Sequence, residues 1–151
     1  MALNDFSPLD PNASTIKTRT YQVVAGATAI LPGEPVIQNS GTPSFVQAAG
    51  NGASSTATWI GVASTASTQT ASANGVVHVF DDPKIVYRAK ATTPANLVQT
   101  VLNTKVTLDL ASGVYKVDED DTTNGTLTIK DYNATNGTVD VQMSQIDHIS
   151  N

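Results

Sequence analysis

The residues that could do chemistry are few. Cys is absent and His78 and His148 are the only histidines, which removes disulfides, thiolate zinc ligands and a cysteine nucleophile at once. A Ser/His/Asp set needs an imidazole beside an activated hydroxyl, yet no G-x-S-x-G elbow occurs anywhere. His78 sits in an alternating run and reads as structural; His148, near the C-terminus, reads as a surface or interface residue. Two histidines so far apart make a poor zinc site, since tetrahedral sites draw three or four ligands from paired spacings. No Walker loop or dinucleotide fingerprint is present.

Carboxylates are the remaining reagents. Asp109, Asp118, Glu119 and Asp131 could supply a glycosidase pair, but such a pair must face across a cleft, and these residues fall on apparent turns. The run Asp118-Glu119-Asp120-Asp121 has a second reading. Counted from Asp120, it places Thr122, Asn124, Gly125 and Asp131 at offsets of a calcium loop. The third position is Thr, the last is Asp rather than a bidentate Glu, and the flanks read as strands instead of helices. A solvated turn is the expectation. The sequence therefore predicts a protein that is not an enzyme, with no catalytic residues, no metal and no cofactor.

The elements that would position any site are strands. Short β-branched runs bounded by Gly, Pro or Asn predict strands at 20–24, 27–31, 34–38, 58–64, 75–80 and 84–91. Pro32-Gly33 marks a tight turn and Asp82-Pro83 a break. Residues 39–57 and 65–75 are small and polar, and read as surface loops or, for the first, a weak hairpin. Further on, Val106, Leu108 and Leu110 share one face of a half-buried strand. Tyr115 and Val117, Leu127 and Ile129, then Val139, Val141 and Met143 repeat that spacing. Asn124-Gly125 and Asn136-Gly137 stand at the junctions, and Asn-Gly is the strongest short hairpin signal. Residues 93–102 are the one helical candidate, with Thr93 as N-cap and Pro94 at the first position; their β-branched content limits it to a turn or two. Trp59, on a strand among small residues, reads as core, with a sugar-stacking role as its alternative.

The predicted fold is all-β: a small antiparallel β-sandwich or barrel-like domain over 19–151, with two lobes, 19–80 and 81–151, as a variant. Residues 1–18 predict an extended N-terminal arm whose apolar points are Leu3, Phe6, Leu9 and Ile16. The first residues match neither a secretory signal nor an anchor, and no segment approaches the ~18 apolar residues of a membrane helix, so a soluble, unexported protein is expected. Net charge is −5 and only 14% of residues are charged, against ~25% in ordinary domains. Such a surface suits protein contact. Lys84, Arg88 and Lys90 lie close together, but Asp81 and Asp82 precede them, which argues against a phosphate-tracking stripe; nucleic acid is not an expected partner.

One stretch is familiar. The run from Tyr21 through Ala25-Gly26 to Pro32-Gly33-Glu34-Pro35-Val36, then a Gly/Ser/Thr-rich stretch and Trp59-Ile60-Gly61-Val62-Ala63, resembles the small decoration, or cement, proteins of tailed-phage capsids. Val77-His78-Val79-Phe80-Asp81-Asp82-Pro83 continuing into Lys84-Ile85-Val86-Tyr87-Arg88-Ala89 extends the resemblance, which spans roughly residues 20–147. It implies a β-rich virion protein on the outer face of an icosahedral head, often a homotrimer, that bridges major capsid subunits and resists internal DNA pressure. On that reading Leu3, Phe6 and Leu9 of the arm are candidate capsid contacts, since a strand-like segment adds to a neighbour's sheet by main-chain hydrogen bonds. The alternative is a receptor- or carbohydrate-binding β module of a phage fibre or surface structure, which would need an exposed aromatic platform.

Overall fold

Alternation in the sequence becomes alternation in burial. In the computed structural model, which describes residues 6–9, 16–50, 57–123 and 125–143, Tyr115 and Val117, Leu127 and Ile129, and Val139, Val141 and Met143 are all buried. They lie on strands β9 (Val114–Asp118), β10 (Leu127–Asn133) and β11 (Thr138–Met143), after β1 (Ser7–Pro8), β2 (Arg19–Val23), β3 (Pro35–Gln38), β4 (Val46–Ala48), β5 (Trp59–Ala63), β6 (Gly75–Phe80), β7 (Val86–Lys90) and β8 (Lys105–Ala111). The chain is all-β, as its residue pattern predicts. The helical candidate reduces to two single 3-10 turns, Pro94–Asn96 and Gln99–Val101, and Thr93 makes no side-chain cap.

Strands β2 to β6 close into a five-stranded barrel in the order β2-β4-β3-β5-β6; the other six form a sheet ordered β1-β7-β11-β10-β8-β9. Within the barrel every pairing is antiparallel except the Val23↔Val46 contact between β2 and β4, which seals it. At the sheet's far end Ala91 bridges Val117 in parallel, and the Thr92 N–H donates to the Val117 carbonyl, so β9 curls back toward β7.

Strand β5 belongs to both cores. Trp59 and Val62 pack with the sheet's cluster, whereas Ile60 and Ala63 fill the barrel with Tyr21, Val23, Ile30, Val36, Val46, Val77 and Val79. A plain strand would keep 60 and 62 on one face. Here the register against β3 shifts between Val36 and Ile37, and the resulting bulge turns the strand over. Gly61 lies at that bulge because a Cβ there would stand 1.8 Å from the Phe80 carbonyl oxygen.

Several expectations need correction. Residues 27–31 form no strand: the Ile30 N–H donates to Ser67 Oγ and Gln69 Nε2 donates to the Ala27 and Thr28 carbonyls, so side chains supply most of these partners beside a single backbone bond from the Ser67 N–H to the Ile30 carbonyl. The 39–57 stretch, by contrast, keeps its hairpin reading: it contributes β4, which pairs antiparallel with β3. The turn with positive φ at both central residues is Ser112-Gly113 (φ 54° and 77°), between the paired Ala111 and Val114, which is the type I′ signature. Asn136-Gly137 does lie in the β10–β11 hairpin, but only Gly137 has positive φ. Gly125 joins no hairpin, since β9 pairs with β8 and not with β10; a Cβ on it would meet the Lys105 carbonyl at 2.4 Å. Asn124 lies outside the described residues.

The N-terminal segment is also not free of core. Phe6 is fully buried, edge-on to Tyr87 at 6.5 Å, and β1 pairs with β7 through Ser7↔Arg88 and Pro8↔Tyr87.

Candidate interaction surface

The turn at the centre of the family resemblance is pinned on both sides. The Glu34 N–H closes it onto the Leu31 carbonyl at 3.2 Å, the Gly33 N–H donates to Ala63 of β5, and the Gly33 carbonyl accepts the Phe6 N–H at 2.9 Å. Glu34 itself is turned inward, 8% exposed, and its carboxylate accepts the Leu31 N–H at 3.0 Å. Leu31 is thereby held outward at 52% exposure.

Leu31 opens an extended layer on the outside of the barrel. The Ser67 N–H donates to the Ile30 carbonyl, the Thr68 N–H to Val76 and the Ser64 N–H to His78, so residues 64–68 run between 30–31 and β6. On its other side β6 pairs with β2, Gln22 opposite Val76 and Thr20 opposite His78. Ile30, Val77 and Val79 face the barrel interior, which leaves Ala29, Leu31, Ala66, Thr68, Val76 and Gln22 exposed outside. Leu31 and Val76 are two of the three exposed large hydrophobic side chains among the described residues; Val98 is the third.

That layer carries no exposed Asp, Glu, Lys or Arg. Of the 21 Asp, Glu, Lys and Arg residues in the chain, one, the buried Glu34, falls between residues 20 and 80. Charge resumes at the layer's margin, where Arg19 meets Asp81 at 3.2 Å and the Tyr21 hydroxyl donates to Asp81 at 2.7 Å. Burial, with that hydrogen bond second, pushes the Tyr21 phenol well above its ordinary value. His78 Nδ1 and Thr20 Oγ1 are 2.9 Å apart within the layer. The charge gap is plain in the sequence once the halves are compared; low total charge alone conceals it.

The carboxylates singled out by sequence go to separate structural tasks. Glu119 is 4% exposed and accepts the Thr92 N–H, the Thr92 hydroxyl and the Thr93 N–H at 2.7–3.0 Å. Asp120 accepts from Asn96, Asp118 from the Asp120 N–H, and Asp121 from the Thr123 N–H. The acidic run fastens the 92–96 loop, and no group of three or more potential metal ligands occurs among the described residues. Asp109 sits opposite Lys116 and Asp131 opposite Asp140. Asp140 is held by Arg88 at 2.9 and 3.1 Å, which raises the guanidinium's pKa still further.

Of the candidate capsid contacts, Phe6 is spent in the chain's own core and the assignment of it as an external contact is withdrawn. Leu9 is half-buried beside β7, where its N–H donates to Val86. Leu3 and His148 lie outside the described residues. Trp59 is fully buried with its indole N–H unpartnered, so it offers no stacking platform. No helix among the described residues is long and apolar enough to cross a membrane. No protein-family model matches the chain, and no curated protein is significantly similar to it in sequence.

Proposed function

We propose that the chain is a non-enzymatic structural protein of a bacteriophage virion, which decorates the outer surface of an icosahedral capsid and stabilises it by bridging major capsid subunits. The observation that carries this reading is the uncharged outer layer of the barrel. Interface cores are depleted of charge, and a surface of Ala, Ser, Thr and Gln punctuated by Leu31 and Val76 can be covered without stranding an ion in a dry contact. The layer is also ordered before binding, knitted by backbone bonds from 30–31 across to β6 and β2, which lowers the entropy cost of association.

The resemblance supplies the kind of partner. The residues that carry it, 21–36, 59–63 and 77–89, build the barrel, its pinned turn and the link to β7. In this reading the partners are the major capsid protein and further copies of the chain, as a homotrimer; nucleic acid and membrane are not partners, and no cofactor takes part. The carbohydrate-module alternative has less support. Every one of the eight aromatic side chains is buried or half-buried, so none stands out as a sugar platform.

Co-sedimentation with expanded heads of the encoding phage tests the proposal. Saturation at a copy number matched to the shell's symmetry supports it. Recovery of all protein in the supernatant, at concentrations well above the number of head sites, overturns it.

A further inference from the structure

Resting on that reading, we propose that the loop between β7 and β8 is a second contact element for the shell, docking a neutral depression on a capsid subunit that carries Lys or Arg at its edge. Bridging takes two contact regions, and the barrel layer supplies only one. The loop, residues 91–104, holds none of the chain's 21 Asp, Glu, Lys and Arg residues. Thr93, Pro94, Ala95, Val98, Gln99 and Thr100 are exposed on it, Val98 at 50%. Its shape is set before any partner arrives. Glu119 accepts the Thr92 and Thr93 amides at one end. At the other, the Asn103 N–H donates to the Ile129 carbonyl at 2.8 Å and the Ile129 N–H to the Thr104 carbonyl at 3.0 Å. Between them Leu97, 3% exposed, plugs the core of the sheet. Irregular connections of ~12–15 residues or more are usually functional or disordered, and this one is pinned at both ends and the middle. Pre-ordering lowers the entropy cost of docking. The anchors belong to β10 and the turn after β9, so this contact is carried by the sheet, whereas the uncharged layer is carried by the barrel.

The rim of the loop selects the occupant. Asp118, Asp120 and Asp121 lie at the end of β9 beside it, and the Asp120 carboxylate accepts the Asn96 side-chain amide at 2.6 Å. Of the two lysines that bracket the loop, Lys90 is turned to the Asn136 carbonyl at 2.9 Å and Lys105 stands at the far end, exposed. A partner with a neutral centre covers Pro94, Ala95 and Val98 without burying an unpaired ion. Lys or Arg at the edge of that partner meets the three carboxylates, and such complementarity sets specificity. A second copy of the chain fits poorly, because its own 118–121 run would face this one. Nucleic acid is repelled by the same carboxylates.

The test is co-sedimentation of the whole chain with expanded heads of the encoding phage, titrated to an apparent affinity. Val98→Glu puts an ion on the loop at an exposed side chain, and should weaken binding at least ~10-fold with an unchanged urea midpoint. Ala111→Glu, exposed beside the β8–β9 turn at the opposite end of β9 from Glu119, adds the same charge and should bind as wild type does. Wild-type affinity in Val98→Glu, or an equal loss in both variants, overturns the proposal. Should Val98→Glu unfold, hydroxyl-radical footprinting of wild type decides: the tryptic peptide 91–105 should be labelled less on saturated heads than in free protein, and equal labelling overturns it. Light scattering without heads addresses the other occupant. Self-association that Val98→Glu abolishes would assign the loop to a second copy and overturn the proposal. The two readings fail separately. Wild type that saturates heads, with Val98→Glu binding equally well, keeps the decoration reading and removes the loop contact; wild type that leaves heads bare removes both.

Discussion

Gly61 is where the two cores meet, and Gly61→Ala should be among the most damaging single-methyl additions the chain can receive. The new Cβ would stand 1.8 Å from the Phe80 oxygen, 2.8 Å from the Phe80 carbonyl carbon and 3.0 Å from Val79 Cγ1. Reaching even 3.0 Å from that oxygen requires β5 and β6 to part by about 1.2 Å (3.0 − 1.8), against a normal strand spacing of ~4.7–4.9 Å. The obstacle is backbone, so no rotamer change relieves it. The pairs beside it, Val62↔Phe80 and Ala63↔Val79, are the whole recorded register between these strands. Weakening two ladder bonds at about 1 kcal/mol each, with about 1–3 kcal/mol for overpacking a strand buried along its whole length, gives a loss of about 3–5 kcal/mol. In urea, with a slope near ~2 kcal/mol/M, the midpoint should fall by roughly 1.5–2.5 M. Gly113→Ala is the control. It sits at φ +77° with nothing within 4 Å of the added methyl, so only the left-handed backbone cost of about 1–2 kcal/mol applies. Equal midpoint shifts for the two variants would refute the close approach at β5–β6 as the reason for this glycine.

Phe6→Ala should cost about 3–4 kcal/mol in the same assay, because a fully buried aromatic is removed; a loss under about 1 kcal/mol would return the N-terminal segment to the role of a free arm. Glu119→Ala should cost about 2 kcal/mol and speed hydrogen exchange at Thr92 and Thr93, whose amides lose a charged acceptor; Glu119→Gln, which keeps one acceptor oxygen, should lose less. Burial, with Asp81 and Asp82 adding to it, raises the Tyr87 phenol far above its ordinary range. The folded state then holds a proton that the unfolded chain releases near pH ~10, so this contribution is complete below that pH and declines as pH rises further. Tyr87→Phe should flatten the alkaline fall in stability; an unchanged slope would refute the assignment.

Much of the sheet was legible because β9, β10 and β11 pair locally and keep one face buried, so period-two alternation reads directly. The barrel was less so. Its closing contact, Val23↔Val46, joins strands distant in sequence and involves a single pair. In β5 all five residues are buried, and a bulge that reverses facing leaves no alternation to read. Residues 27–31 have strand composition, yet Ser67 and Gln69 supply their partners, which propensity cannot reveal. Asn-Gly at 124–125 misled because that glycine answers to a close crossing over Lys105, not to a hairpin. The candidate interaction surface was half legible. The charge gap from 20 to 80 is a property of sequence, but only the register of 30–31, 64–68, β6 and β2 turns it into one exposed patch.

The central claim is that the chain reinforces a capsid from outside. The direct measurement is the temperature at which DNA-filled heads of the encoding phage, stripped of this protein, burst with and without purified chain added back. The expected result is a higher bursting temperature that rises with occupancy and stops rising once the shell is saturated. An unchanged bursting temperature at saturating protein would contradict the claim.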